Sequence, residues 1–292
     1  MSEPLASLLT ALDLTDTGAR TSEDIFTGPS QWMPLGRVFG GQVLAQSIVA
    51  ATRTVGDDRP IHSMHGYFLR PGDVNLPITF SVDRIHDGRS FSTRRTQAYQ
   101  NGLPILSMIA SFQDEDEGLE HQVTMPQGLP EPESLPSSAS SLEDVRHPVA
   151  QYWASERPFD MRHVTSPVYL SVEGEHVAQQ AVWFRAIGEL PDDPALHRAA
   201  LAYASDYTIM ESIMRRHGVA WADPGLKAAS LDHAMWWHRP ARVDEWLLYT
   251  QESPSASGGR GLAQGRIYSR DGRLVASVAQ EAMIRVPAER RD

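Results

Sequence analysis

Asp206 and Gln280 are polar side chains in positions where the surrounding pattern asks for apolar ones. Leu274, Ala276, Val278, Gln280, Ala282 and Ile284 alternate as one face of a strand, and Gln280 is its only strongly polar member. An amide buried without partners costs roughly 1–3 kcal/mol, so Gln280 needs either a backbone group to satisfy or a specific hydrogen-bonding task. Asp206 shares a helical stripe with Ile209, Met210 and Ile213, at spacings of three, four and seven residues. There it is either a cap, if a helix starts at Ser205 or Asp206, or a carboxylate driven into an apolar interior, where burial favours taking up a proton. Ser230-Leu231-Asp232-His233 adds a hydroxyl, a second acid and an imidazole on one extended element. Strand alternation sets Ser230 with Asp232 and turns His233 to the opposite face with Leu231 and Met235, so the three are not expected at one site. No G-x-S-x-G elbow accompanies them, which argues against a Ser-His-Asp nucleophile. His62 and His65 lack a carboxylate cluster or cysteine at ligand spacing, and no metal is expected. Trp236, Trp237 and Trp246 read as core and interface residues.

The elements that must position these residues come in two sets. The first half offers a Gly-Gly pair opening a helix over 40–53, an extended segment over 62–73, and alternating runs over 76–85, 90–99 and 103–113. The second half offers a strand over 181–190, a helix over 197–218 ending at Gly218, and extended segments over 230–240, 245–253, 261–269 and 274–286. Between them, residues 114–148 are acidic and rich in Pro and Ser, and read as a linker. Phe68-Leu69-Arg70-Pro71 answers Trp237-His238-Arg239-Pro240, Gly88-Arg89 answers Gly259-Arg260, and the turn Asn101-Gly102 answers Asp271-Gly272. A helix followed by an antiparallel meander, repeated, implies an α+β unit in which a curled sheet wraps its helix. The duplication also supplies an internal control: aligned through the turns, Ala110 stands where Gln280 does, and with Gln46-Ser47-Ile48 set beside Glu211-Ser212-Ile213, Gly41 stands where Asp206 does.

Composition narrows the function classes. The 292 residues are 41% hydrophobic and 22% charged, ordinary values for globular chains, and the length favours two domains. No stretch approaches the roughly 18 apolar residues that span a bilayer, and the first residues lack the pattern of a secretory signal, so stable membrane insertion is not expected and a cytoplasmic location is. There is no cysteine, which excludes disulfides, thiolate metal sites and a cysteine nucleophile. With 26 basic against 37 acidic side chains the net charge is -11, which argues against nucleic-acid binding. A polyanionic ligand would need local arginines, for which Arg94 and Arg95 are the candidates.

Phe39-Gly40-Gly41-Gln42-Val43-Leu44-Ala45-Gln46, the segment from His62 to Asp73, the run from Asp232 to Pro240 and Glu245-Trp246-Leu247-Leu248-Tyr249 together resemble the type II acyl-CoA thioesterases (TesB-like). The resemblance runs from about residue 20 to 286 and leaves the acidic linker poorly matched. It implies a double hotdog fold, with repeats over 1–113 and 149–292 joined by 114–148, and hydrolysis of acyl-CoA to a free acid and coenzyme A without a cofactor. It also implies a catalytic trio of an Asp on the second-half helix, a Thr just before the Asp-His of the next strand and a Gln in the final strand. Those positions are Asp206, Ser230 and Gln280, and Ser230 departs from the expected Thr, keeping the hydroxyl but losing the methyl that restricts its rotamer. His65 lies in a motif of the family and gains a binding role by the resemblance.

A thioester carbonyl is electrophilic enough for attack by an ordered water, so the trio is expected to hold that water with Asp206 as general base. Backbone N–H groups at Gly40 and Gly41 are expected to stabilise the carbonyl oxygen, although a tight turn into a helix explains these glycines equally well. A hotdog hydratase or dehydratase, which would release no thiol, and a non-catalytic acyl-CoA binding protein are the alternatives. A homodimer or larger assembly is expected, since packing sheet on sheet hides open edges.

Overall fold

The alternating apolar runs form strands. In the computed structural model, which describes residues 1–19 and 21–287, the chain opens with α1 (Glu3–Leu12), β1 (Thr15–Asp16) and β2 (Asp24–Gly28). It continues through α2 (Gly40–Thr52), β3 (Ile61–Phe68), β4 (Ile78–Asp87), β5 (Phe91–Gln100) and β6 (Leu103–Gln113). After the joining segment, with α3 (Ser138–Leu142), come α4 (Pro148–Ser155), β7 (Phe159–His163), β8 (Gln179–Ala186), α5 (Pro194–Ser205) and α6 (Glu211–Arg216). The chain then forms β9 (Lys227–Ser230), β10 (Asp232–Trp237), β11 (Leu247–Ser257), β12 (Arg260–Ser269) and β13 (Leu274–Arg285).

All the strands join one antiparallel sheet in the order β1-β2-β4-β5-β6-β3-β10-β13-β12-β11-β8-β7, with β9 also on β13. The β3–β10 ladder welds the halves, and its register carries the repeat. Aligning Arg70-Pro71 on Arg239-Pro240 sets His65 against Ala234, and those two residues are direct partners across the ladder. A pseudo-twofold therefore passes between them. Helix α2 lies on β3–β6, and α6 lies on β8, β11 and β12. One apolar cluster runs through both halves, from Leu44 and Ile48 to Tyr203, Ile213 and Val278. This is the double hotdog α+β architecture. Among the described residues, no helix is long and apolar enough to cross a membrane.

Helices α2 and α5 pack on each other across the junction of the halves. Gly41 permits the approach, because a Cβ there would collide with the Tyr203 carbonyl oxygen and the Phe39 ring. The single helix expected over 197–218 is divided. Helix α5 starts earlier, where the Asp193 carboxylate caps Ala195 N–H ahead of Pro194, and it ends at Ser205. The turn over 206–210 precedes α6, so Asp206 is the C-cap of α5 and not the start of a helix. Tyr207-Thr208-Ile209 are weak helix formers with tertiary attachments of their own: the Tyr207 ring stacks on Phe39 at 4.6 Å, and the Thr208 hydroxyl accepts from Gln251 Nε2 at 2.7 Å.

The acidic segment is also more than a tether. Met125, Leu129 and Leu135 pack on Trp183, Trp246, Leu248, Tyr268 and Leu274, on the side of the second-half sheet away from its helices. Trp183 Nε1–H donates to the Pro130 carbonyl at 3.0 Å, and Arg270 pairs with Glu131 and Glu133, each at 2.8 Å. Its apolar contacts follow an extended path and leave no period for sequence inspection to find. Among the described residues the outer face of the first-half sheet has no such cover, and Tyr67, Phe91 and Ile109 stand exposed there.

Trp183→Ala should lower the unfolding free energy by about 3–5 kcal/mol, as expected for a buried Trp truncation. Limited proteolysis of the folded variant should cut within 114–148 faster than in the parent chain; equal protection would show that Trp183 does not anchor the segment.

Candidate active site

Three elements converge beneath the α2–α5 junction. Asp206 is delivered by the C-terminus of α5, Ser230 by the last residue of β9, and Gln280 by β13. The Ser230 hydroxyl donates to Asp206 Oδ1 at 3.3 Å, and Gln280 Nε2 donates to Ser230 Oγ at 2.9 Å. Gln280 Nε2 also bears on the Asp206 carboxylate as a donor. The three sequence candidates are thus one hydrogen-bonded cluster. Gln280 is fully buried, Asp206 is 5% exposed and Ser230 is half-buried, so the approach from outside is on the Ser230 side.

The cluster has further members. His233 is fully buried, its Nδ1–H donates to Gln280 Oε1, and its Nε2 lies 3.0 Å from Ser205 Oγ. This overturns the expectation that Ser230 and His233 point apart. Register explains the difference: Ser230 pairs with Ala282 in the β9–β13 ladder, but Ala234 pairs with Ala279 in the β10–β13 ladder, so one residue is absorbed at Leu231. The irregularity is held by Leu231 N–H donating to the Glu281 carbonyl and by Asp232 Oδ1 accepting from Glu281 N–H at 2.7 Å. Beyond it the alternation is inverted, and His233 turns inward opposite Gln280. A signal for it was present, because the echo of Arg70-Pro71 in Arg239-Pro240 pairs Met64 with His233. Met64 and Ala110 are direct cross-strand partners in the first half.

Burial pushes the Asp206 carboxyl above the usual carboxylate range, opposed first by the nearby His233 and then by donors from Gln280, the Gly41 backbone N–H and Ser230. Burial holds the His233 imidazole below its ordinary value, opposed by Asp206. The C-terminal end of α5 adds an unfavourable dipole for an anion at Asp206, and the N-terminal end of α2, through Gly41 N–H, adds a favourable one. A buried carboxylate with a raised pKa, within reach of a hydroxyl and an amide, can accept a proton from a small ligand bound among them.

Of the other expected contacts, Gly40 and Gly41 belong here. A Cβ at Gly40 would lie 2.6 Å from Asp206 Oδ2, so the glycine keeps that oxygen clear. The Gly41 N–H also bears on the Asp206 carboxylate, opposing the rise in its pKa. His65, Arg94 and Arg95 lie outside this cluster. His65 is on the outer face of the sheet, edge-on to Trp236 at 5.1 Å. Arg94 is buried, and its guanidinium is occupied by Asp87, Thr54 and the His86 carbonyl. Thr54 follows the far end of α2, about 20 Å from Gly41 at 1.5 Å per residue. Arg95 pairs with Asp83 at 3.0 Å on the outer face. Phe39, Tyr203 and Tyr207 form an aromatic wall beside Asp206, with Phe39–Tyr203 ring centroids 5.1 Å apart. A cavity of about 1220 Å³ at the β7–β8 edge, lined in part by Arg157, Arg185 and Arg242, includes none of the three clustered residues.

Comparison with known proteins gives a consistent result over both halves. A family model described as acyl-CoA thioesterase matches residues 154–283, and one described as acyl-CoA thioesterase N-terminal domain matches residues 28–113. The chain is 39% identical over 290 residues to acyl-CoA thioesterase 2 of Haemophilus influenzae, covering 98% of this chain and 99% of that protein. It is 39% identical over 276 residues to human acyl-coenzyme A thioesterase 8, covering 90% of this chain and 85% of that protein. The crystal structure of an acyl-CoA thioesterase II TesB2 from Mycobacterium marinum aligns with a TM-score of 0.76 at 42% identity, covering 97% of this chain and 98% of that one.

Because the folded state raises the Asp206 pKa, its contribution to stability is complete below the unfolded value of about 3.9 and is lost as pH rises through the folded value. Asp206→Asn should therefore be more stable than the parent chain at neutral pH, with the advantage shrinking in acid. Denaturant titrations between about pH 4 and 8 would measure it, and a stability difference that ignores pH would contradict the burial assigned to this carboxylate.

Proposed function

The chain belongs to the type II acyl-CoA thioesterase family and hydrolyses acyl-CoA thioesters, and we propose that it does so with a water molecule held by Asp206, Ser230 and Gln280. The observation that carries the assignment is the chain of contacts from Gln280 through Ser230 to a buried carboxylate. Asp206 takes a proton from the water, whose oxygen attacks the thioester carbonyl carbon. The C–S bond then breaks, the thiolate of coenzyme A leaves, and the proton held by Asp206 returns to it. Water and thioester become acid and thiol, with no covalent enzyme intermediate. Ser230 accepts from Gln280 and donates to Asp206, which leaves one lone pair on its oxygen to take a hydrogen from the water. The carbonyl oxygen is placed toward the N-terminus of α2 at Gly40, and the aromatic wall of Phe39, Tyr203 and Tyr207 borders the acyl chain.

The duplicated units of this reading are 1–113 and 149–292, with 114–148 joining them. One catalytic cluster per chain follows, because Gly41 and Ala110 leave the first unit without its own carboxylate and amide. The chain acts as a homodimer or larger assembly. The exposed strip of Tyr67, Ile109 and Trp236 on β3, β6 and β10 is the face that a second copy covers.

Thiol release from a chain-length series of acyl-CoAs tests the assignment. Asp206→Asn should lower kcat by about 10²–10⁴, the usual worth of a general base. Ser230→Ala and Gln280→Ala should each cost about 10- to 100-fold, as for loss of a hydrogen bond at the reacting atoms. Retention of full activity in the three variants would sink the trio. For the assembly, Ile109→Asp should lower the mass measured by sedimentation, and an unchanged mass would move the contact elsewhere.

A further inference from the structure

We propose that His233 is a positioning residue for this hydrolysis, turning the Gln280 amide so that its nitrogen faces Ser230 and Asp206, and that Ser205 fixes the imidazole tautomer that does so. The inference rests on the reading of Gln280 as a member of the water-binding trio. An amide has two ends of opposite hydrogen-bonding sense, and a site that needs the nitrogen end must hold the oxygen end elsewhere. Gln280 Oε1 only accepts, and it lies against His233 Nδ1, which must then carry a proton. In a neutral imidazole that leaves Nε2 as an acceptor, and Ser205 Oγ stands 3.0 Å from it with one proton to give. The Ser205 hydroxyl also lies 2.8 Å from the Ala202 carbonyl, and its proton is needed more at Nε2, where a buried ring nitrogen would otherwise go unmet.

The reversed amide shows what the imidazole prevents. With the Gln280 oxygen toward Ser230, the single Ser230 proton would turn to that oxygen. Ser230 Oγ and Asp206 Oδ1, 3.3 Å apart, would then face each other with no proton between them. The carboxylate would lose two donors at once, from Ser230 and from the Gln280 nitrogen. Ser205 and Asp206 are consecutive in the chain, so the contacts form a ring: Asp206 to Ser230, Gln280, His233 and Ser205, closed by one peptide bond. A displacement of α5 therefore moves the base and the tautomer-fixing hydroxyl together. The first half has Met64 in the matching place, opposite Ala110, and needs no such device.

Kinetics of the full chain with His233→Leu, His233→Asn and Gln280→Ala test this. Asn carries an N–H near the Nδ1 position, and Leu has no donor. His233→Leu should lower kcat about 10- to 100-fold with KM within about threefold, and His233→Asn should recover kcat to within about tenfold of the parent. Equal losses in Leu and Asn, or a loss confined to KM, would overturn the positioning role. A Gln280→Ala loss of about 10- to 100-fold beside a fully active His233→Leu would remove His233 and leave the trio standing, whereas a fully active Gln280→Ala would remove Gln280 from the trio and this proposal with it. Long-range proton–nitrogen NMR of the parent chain keeps the test decisive if His233→Leu does not fold. Nδ1 should be protonated and Nε2 bare, and Ser205→Ala should let the other tautomer appear. A bare Nδ1 in the parent overturns the assignment, and an unshifted tautomer in Ser205→Ala overturns the part given to Ser205.

Discussion

A carboxylate buried at the C-terminal end of a helix is the constraint from which the rest follows. Desolvation and the helix dipole both oppose the charge on Asp206, and neither can be removed without moving the carboxylate away from the aromatic wall beside it. What makes the position tenable is a set of donors drawn from distant parts of the chain: the backbone of Gly41, the hydroxyl of Ser230 and the amide of Gln280. Each donor places a demand on the fold. Gly41 must bring the start of α2 against the end of α5, which is why positions 40 and 41 tolerate no side chain. Ser230 and Gln280 must meet across two strands that pair at different registers.

The β3–β10 ladder meets these demands by joining two copies of one unit through their equivalent strands. A twofold-like union of identical units would place like against like. Here the copies have diverged, so that the first contributes a helix N-terminus and an apolar pair, Met64 and Ala110, and the second contributes the carboxylate, amide and imidazole. This explains why comparing the halves within one sequence located Asp206 and Gln280. On an apolar face a polar residue stands out, and the other copy shows what the face looks like without it. The strands and their turns were legible for the same reason, since burial on one side of a sheet enforces alternation.

The same regularity concealed His233. Strict alternation from Ser230 sends it to the outer face, and nothing in Ser-Leu-Asp-His announces that Leu231 absorbs a residue. The irregularity is specified by Asp232, whose carboxylate takes the Glu281 N–H, and that contact joins residues 49 positions apart. The pairing of the arginines was hidden for a related reason. A basic residue in a strand suggests an anion to bind, but Arg94 found its anion in Asp87, seven residues earlier and across a hairpin. The joining segment hid its packing because extended chain following a bare sheet face needs apolar residues only where a Trp waits, at Met125, Leu129 and Leu135.

Rigidity and access divide within the site. Gln280 and His233 are sealed off and tied to each other, while Ser230 sits at the half-open end of the cluster. Replacing the expected threonine by serine therefore changes the one member whose rotamer is not held by dense packing. Its orientation then depends more heavily on Gln280 donating to it and Asp206 accepting from it. An amide that could rotate would leave that hydroxyl with no preferred direction. A chain carrying serine at 230 thus places more weight on whatever holds the amide still, and in this fold that is an imidazole brought inward by a one-residue slip between β9 and β10.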